Sequence, residues 1–134
     1  IIADTIGVAT AGSTYRLLNQ IISDNDSFGF EIGVHFHDTY GQALANILTS
    51  LSMGVNIIES SVGGLGGCPF AKGATGNVAT EEIVYMLNGM DIETGIDLEK
   101  LMNASNFITE QLGKDRNASS VTRALNAKKA SDKE

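Results

Sequence analysis

A single cysteine, Cys68, rules out an internal disulfide in these 134 residues. It makes a reducing compartment, the cytoplasm or an organellar matrix, the expected setting. Basic residues are also scarce. Nine Lys and Arg against sixteen Asp and Glu leave a net charge of −7. Binding to nucleic acid needs clustered cations against phosphate, so that class of partner is excluded. No apolar run is long enough to span a bilayer, which removes a membrane role. A basic leader and an initiator Met are missing too. The chain opens directly in a strand-like run, Ile1-Ile2-Ala3-Asp4, so it is expected to be a piece of a longer protein. Asn103 and Asn117 each begin an Asn-Ala-Ser sequon, but nothing else points to secretion.

What is there is ordinary for one folded domain: 43% apolar residues in a domain-sized length. The pattern predicts strand, helix, strand, helix, strand, helix, helix. Ile1 to Ile6 reads as a short buried strand. A helix follows over about residues 12–23, with Tyr15, Leu18, Ile21 and Ile22 at helical spacing. Asp24 to Ser27 is a polar turn. A second strand runs over about 30–37, and a helix over about 41–53 carries the stripe Leu44, Ile47, Leu48 and Leu51. Val55 to Ser60 is the third strand, and a Gly-rich loop extends from Ser61 to Gly76. Two helices close the pattern, about 79–88 and about 97–112, the second with Asp97 as N-cap. Residues 113–134 are expected to be a polar, flexible tail beyond a catalytic domain of residues 1–112.

Alternating strands and helices imply a parallel sheet with right-handed crossovers. An open doubly wound sheet and part of a (β/α)8 barrel both fit. Each strand carries polar groups near its C-terminal end: Asp4, then His35 and His37, then Ser60. Barrel enzymes place their chemistry at that end, on several strands. The expected fold class is therefore α/β, the C-terminal portion of a barrel: about three βα units plus extra helices. A full barrel needs roughly 250 residues. Three strands alone leave open edges, which self-association into a homo-oligomer would cover.

Two places carry chemistry. In an extended strand His35 and His37 share one face, about 7 Å apart. Two imidazoles so placed can converge on one metal ion; alternatively, one is structural and the other exposed. The second place is the loop Ser61-Val62-Gly63-Gly64-Leu65-Gly66-Gly67-Cys68-Pro69. It is no dinucleotide fingerprint, since a count from Gly64 puts Pro69 at the third glycine position. It also lacks the Gly-Lys-Ser/Thr of a phosphate loop. So many glycines suit a loop that closes over a site. Cys68 there is a nucleophile, an acid/base group, or a small buried hydrophobe. Asn77 is either a helix cap or an oxygen ligand to a metal.

Several stretches are recognisable. They are Asp4-Thr5-Ile6-Gly7, His35-Phe36-His37-Asp38-Thr39-Tyr40-Gly41-Gln42-Ala43-Leu44-Ala45-Asn46, Gly66-Gly67-Cys68-Pro69-Phe70-Ala71, Gly73-Ala74-Thr75-Gly76-Asn77 and Ala79-Thr80-Glu81-Glu82. Together they closely resemble the C-terminal half of the 3-hydroxy-3-methylglutaryl-CoA lyases, up to about Leu112. The His-x-His-Asp motif is shared with a wider superfamily of metal-dependent barrel enzymes, including isopropylmalate synthases; the Gly-Gly-Cys-Pro loop is more specific to the lyases. The resemblance implies that His35, His37 and Asn77 bind a divalent cation. It implies that Cys68 is the catalytic loop cysteine and that Asp4 lies close to metal and substrate. Mixed nitrogen and oxygen ligands suit Mg²⁺ or Mn²⁺, and spacing alone leaves Zn²⁺ open.

The implied substrate is an acyl-CoA, and the implied reaction is retro-Claisen cleavage of 3-hydroxy-3-methylglutaryl-CoA to acetoacetate and acetyl-CoA, a step of leucine degradation. Two other readings stand beside it: a related aldolase or acyl-CoA condensing enzyme, and a non-catalytic, self-associating barrel fragment. The resemblance also implies an absence. In the lyases an Arg-Asp pair on the first strand completes the metal site, and no such pair lies in this sequence. The chain by itself is expected to be incomplete and inactive.

Overall fold

The computed structural model describes residues 1–25, 31–67, 76–114 and 117–132. The chain divides into two compact units. The first comprises residues 1–60 and 66–78, the second residues 61–65 and 79–134.

The first unit is a layer of strands covered by helices. Its elements are β1 (Ile2–Asp4), α1 (Ala11–Asn25), β2 (Gly33–Phe36), α2 (Ala43–Ser52) and β3 (Ile57–Glu59). The three strands form one parallel sheet in the order β1-β2-β3. Because that order follows the sequence without reversal, right-handed crossovers deliver α1 and α2 to the same side of the sheet. A doubly wound sheet would need a reversal to put helices on both faces. The register sets Ile2, Val34 and Ile58 in one row and Ala3, His35 and Glu59 in the next. Adjacent rows face opposite sides. Val34 and Phe36, both buried, point toward the helices. His35 and Glu59 point away from them.

The helices dock through smaller residues than expected. Thr14 and Leu18 of α1 face inward, while Tyr15 is exposed. From α2 the buried residues are Ala43, Asn46, Ile47 and Ser50, with Leu48 turned out. Ala43 and Ser50 let the helix sit close to its neighbours, and Asn46 donates to the Ala9 carbonyl at 3.0 Å. The stripe had to be chosen by size as well as polarity. Beside β1, Ile2, Val8, Leu17, Leu18, Val34 and Phe36 line a largely apolar cavity of about 470 Å³.

The second unit is helical: α3 (Thr80–Asn88), α4 (Leu98–Gln111) and α5 (Ser120–Ser131). Asp97 caps α4 as expected, accepting the Glu99 and Lys100 amides. Residues 120–131, in the stretch expected to be a polar tail, form α5. Its start is well held. Ser119 accepts the Thr122 amide at 3.2 Å, and the Glu82 carboxylate accepts both the Ser120 amide and its hydroxyl at 2.8 and 2.7 Å. The helix is legible once Ser119 is taken as an N-cap, because Val121, Ala124 and Leu125 then fall at helical spacing.

At the centre of this unit lies a buried carboxylate. Glu81 accepts the Gly63 amide with both oxygens, at 3.0 and 2.9 Å. The Thr122 hydroxyl donates to it from 3.5 Å. Around it Asn117 donates to Ser105 Oγ at 2.8 Å and accepts the Ser119 amide at 2.9 Å. Gly63 has φ +62, and a Cβ there would sit 3.0 Å from Ser105 Oγ.

Candidate metal site

The site forms where β2 ends. His35 and His37 present their rings on the helix-free side, with centroids 5.3 Å apart and planes inclined at 49°. Beyond the strand the backbone pairs with residues 76–78. The Asp38 amide donates to the Gly76 carbonyl at 2.8 Å, and the Val78 amide to the Phe36 carbonyl at 3.3 Å. This short antiparallel bridge sets Asn77 directly opposite His37. Opposed residues in such a pair project to the same side. Two of the three expected ligands therefore come together through backbone pairing, and the third, His35, lies two residues before His37, within β2.

The ends of the Gly-rich loop explain two of its glycines. Gly76 has φ +86, and a Cβ on it would run into the Gly66 carbonyl. Gly66 has φ +109, and a Cβ there would stand 2.6 Å from Asn77 Nδ2. Only glycine allows both the backbone conformation and the approach. At these positions glycine pins the loop's two roots together and seats the Asn77 amide against them. Cys68 lies outside the described residues.

Asp38 and Asp4 organise turns. Asp38 Oδ1 accepts the Ala43 amide at 2.9 Å, satisfying an N–H at the start of α2. Asp4 Oδ1 accepts the Gly7 and Val8 amides at 3.1 and 3.2 Å, and its Oδ2 accepts the Ala9 amide at 2.9 Å. That turn leads from β1 into α1. Asp4 is nevertheless near enough to His37 to favour its protonated form.

The imidazole of His37 is electrostatically divided. Burial, and then the neighbouring His35, hold its pKa below the usual 6.5, while Asp4 and Asn77 work in the opposite direction. The net lowering leaves a neutral ring at pH 7. Its Nδ1 is buried and makes no hydrogen bond of good geometry among the described residues. A buried ring nitrogen in this state is costly without a partner, and a neutral imidazole is the form that binds a metal. Two imidazoles and an amide oxygen thus suit a divalent cation, but they bring no charge. Among the described residues no three His, Cys, Asp or Glu side chains group as a metal cluster.

One neighbour escaped the reading of the sequence. Glu59, at the end of β3, stands beside His35 in the register. Its Oε2 is 3.2 Å from His35 Nδ1. The signal was a carboxylate at a strand's C-terminal end, one place before Ser60.

The HMGL-like family model matches residues 1–108. The mouse protein named 3-hydroxy-3-methylglutaryl-CoA lyase, cytoplasmic, is 51% identical over 127 residues, covering 95% of this chain and 36% of the relative. The mitochondrial hydroxymethylglutaryl-CoA lyase of Arabidopsis thaliana is 52% identical over 98% of this chain and 27% of its own length. Among solved structures, the hydroxymethylglutaryl-CoA lyase of Pseudomonas aeruginosa superposes with a TM-score of 0.86 at 53% identity, covering 94% of this chain and 41% of that one. An HMG-CoA lyase from Acinetobacter baumannii, solved in complex with coenzyme A and 3-methylmalate, matches with a TM-score of 0.81 at 37% identity over 91% of this chain and 39% of its own. The chain thus spans roughly a third of the length of the relatives it matches. Its fold is the corresponding part of their α/β barrel.

Proposed function

The chain belongs to the HMGL-like family, and we propose that it supplies the metal-binding and loop-cysteine portion of a 3-hydroxy-3-methylglutaryl-CoA lyase. The observation that carries this reading is the corner formed by His35, His37 and Asn77, where His37 Nδ1 is buried and makes no hydrogen bond of good geometry among the described residues. His35, His37 and Asn77 would hold a divalent cation, Mg²⁺ or Mn²⁺ by their chemistry. Such a cation, when bound, supplies positive charge that favours ionisation of a substrate hydroxyl.

The chain's own residues divide the remaining work. The hydroxyl to be deprotonated is on C3 of the substrate, and its loss of a proton starts cleavage of the neighbouring C–C bond. One fragment leaves as a ketone, and the thioester fragment leaves as a carbanion that needs a proton. Cys68 would deliver that proton from the loop rooted at Gly66 and Gly76, with bulk water kept out. Asp4 holds the β1–α1 turn and places negative charge toward His37. The acyl-CoA substrate class is consistent with the coenzyme A complex of the Acinetobacter relative. The relatives' additional length would cover the apolar cavity beside β1; in its absence a second copy of the chain would do so.

A segment exchange tests the proposal. Residues 1–108 replace the matching part of the 53%-identical Pseudomonas lyase, and cleavage of 3-hydroxy-3-methylglutaryl-CoA is assayed with added Mn²⁺. The expected result is an active chimera, inactivated by His37→Ala and by Cys68→Ala. A folded but inactive chimera would overturn the reading. The 134-residue chain alone is expected to show no turnover.

A further inference from the structure

We infer that Glu59 is a positioning residue for His35: its carboxylate holds the ring proton on Nδ1 and so reserves Nε2 as the nitrogen that faces a cation. The inference rests on the reading of His35 as a metal ligand. A neutral imidazole has one N–H and one lone pair, and a carboxylate can only accept. The 3.2 Å contact between His35 Nδ1 and Glu59 Oε2 therefore requires the proton on Nδ1. That leaves the lone pair on Nε2. A carboxylate behind a metal-binding imidazole orients the ring and raises its basicity.

Three observations favour this role over an incidental surface pair. The parallel register makes His35 and Glu59 adjacent in one row of the sheet, so the backbone fixes their approach. The row lies on the side that also carries His37. The three expected ligands bring no negative charge of their own, and Glu59 places one beside His35. Its side chain is 52% exposed and that of His35 27%. An exposed pair of this kind adds little to folding stability, which allows positioning to be separated from folding.

The test uses the ¹⁵N-labelled 134-residue chain, free of metal, at a pH where both imidazoles are neutral. Two-bond ¹H–¹⁵N spectra report which ring nitrogen bears the proton. His35 is expected as the Nδ1–H tautomer, and Glu59→Ala is expected to redistribute it toward Nε2–H. Electron paramagnetic resonance titration with Mn²⁺ should then show affinity falling about tenfold, with the urea midpoint unchanged. An Nε2–H tautomer in the unmodified chain, or a His35 tautomer that ignores Glu59→Ala, overturns the inference. So does a loss of affinity accompanied by an equal loss of stability. The underlying metal reading fails differently: His35→Ala would then leave Mn²⁺ affinity unchanged while the tautomer result still stood.

Discussion

Each unit of this protein holds buried polar side chains, and the two sets are finished to different degrees. Around Glu81 every group has an opposite number. Both carboxylate oxygens accept, Thr122 donates, and Asn117 and Ser119 complete the neighbouring bonds. Around His37 burial favours the neutral ring, yet its Nδ1 makes no hydrogen bond of good geometry among the described residues. Buried polar groups are normally satisfied, because an unmade bond costs about 1–3 kcal/mol. A completed network therefore serves the fold. On the proposed reading a cation completes the unfinished one at the C-terminal end of β2. The proposal thus gives stability to one cluster and binding to the other, and mutation can break that division in either direction.

Glu81→Ala should have the largest effect on stability. It removes a fully buried acceptor and strands the Gly63 amide in the interior. The expected loss is roughly 2–4 kcal/mol, read as a fall in the urea midpoint. Mn²⁺ affinity of the folded variant should stay within twofold of the parent. A large loss of affinity with stability intact would reverse the assignment. Asp4→Ala comes next. Its carboxylate accepts three successive backbone amides, and losing them should cost about 1–2 kcal/mol in the same measurement. Because Asp4 also faces His37, this variant alone should weaken both stability and Mn²⁺ binding.

These clusters were unequally legible in the sequence. The order of strands and helices could be read from hydrophobic period and from glycine placement, and the strand ends pointed to the chemistry. His35 and His37 were visible because a strand alternates faces. Asn77 was ambiguous, since a residue just before a helix looks like a cap. In the structure the N-cap of α3 is Ala79, with no side-chain hydrogen bond. What brings Asn77 to His37 is a bridge between segments forty residues apart, which no local pattern encodes. Glu59 was missed for a similar reason, because its partnership depends on the β2–β3 register. Glu81 lies in the first turn of α3, where an acidic side chain is ordinary and no burial is implied; its burial depends on the turn at Gly63, eighteen positions earlier. Thr14, Ala43 and Ser50 were overlooked as core because close helix contacts favour small side chains that carry little hydrophobic signal.

His37→Leu sharpens the comparison from the other side. It removes an imidazole that folding does not use and replaces it with an apolar group of similar bulk. Stability should change by less than about 0.5 kcal/mol, or rise, since the buried unpaired nitrogen disappears. Mn²⁺ affinity should fall by a hundredfold or more, beyond the tenfold to hundredfold typical of losing a ligand's supporting partner. Calorimetric titration beside a urea melt separates the two. If the melt collapsed while binding persisted, His37 would belong with Glu81 as a structural residue.

The smallest effect is the most specific, because it depends on the direction of one proton equilibrium. Burial and His35 outweigh Asp4 and Asn77, so His37 in the folded, metal-free chain takes up a proton at lower pH than in the unfolded chain. As pH falls below about 6.5, the reference value for an unperturbed His, the unfolded state binds the proton first. More protons on the unfolded state means that stability rises with pH across this window. The contribution is complete above the unfolded value and is lost as pH falls through the folded one. Urea midpoints in the presence of a chelator, taken from pH 7.5 to pH 5.5, should therefore decline more steeply for the parent chain than for His37→Leu. Equal slopes would mean that the His37 ring reaches water freely. The buried, unsatisfied nitrogen that distinguishes this corner from the Glu81 cluster would then be lost as an argument for binding.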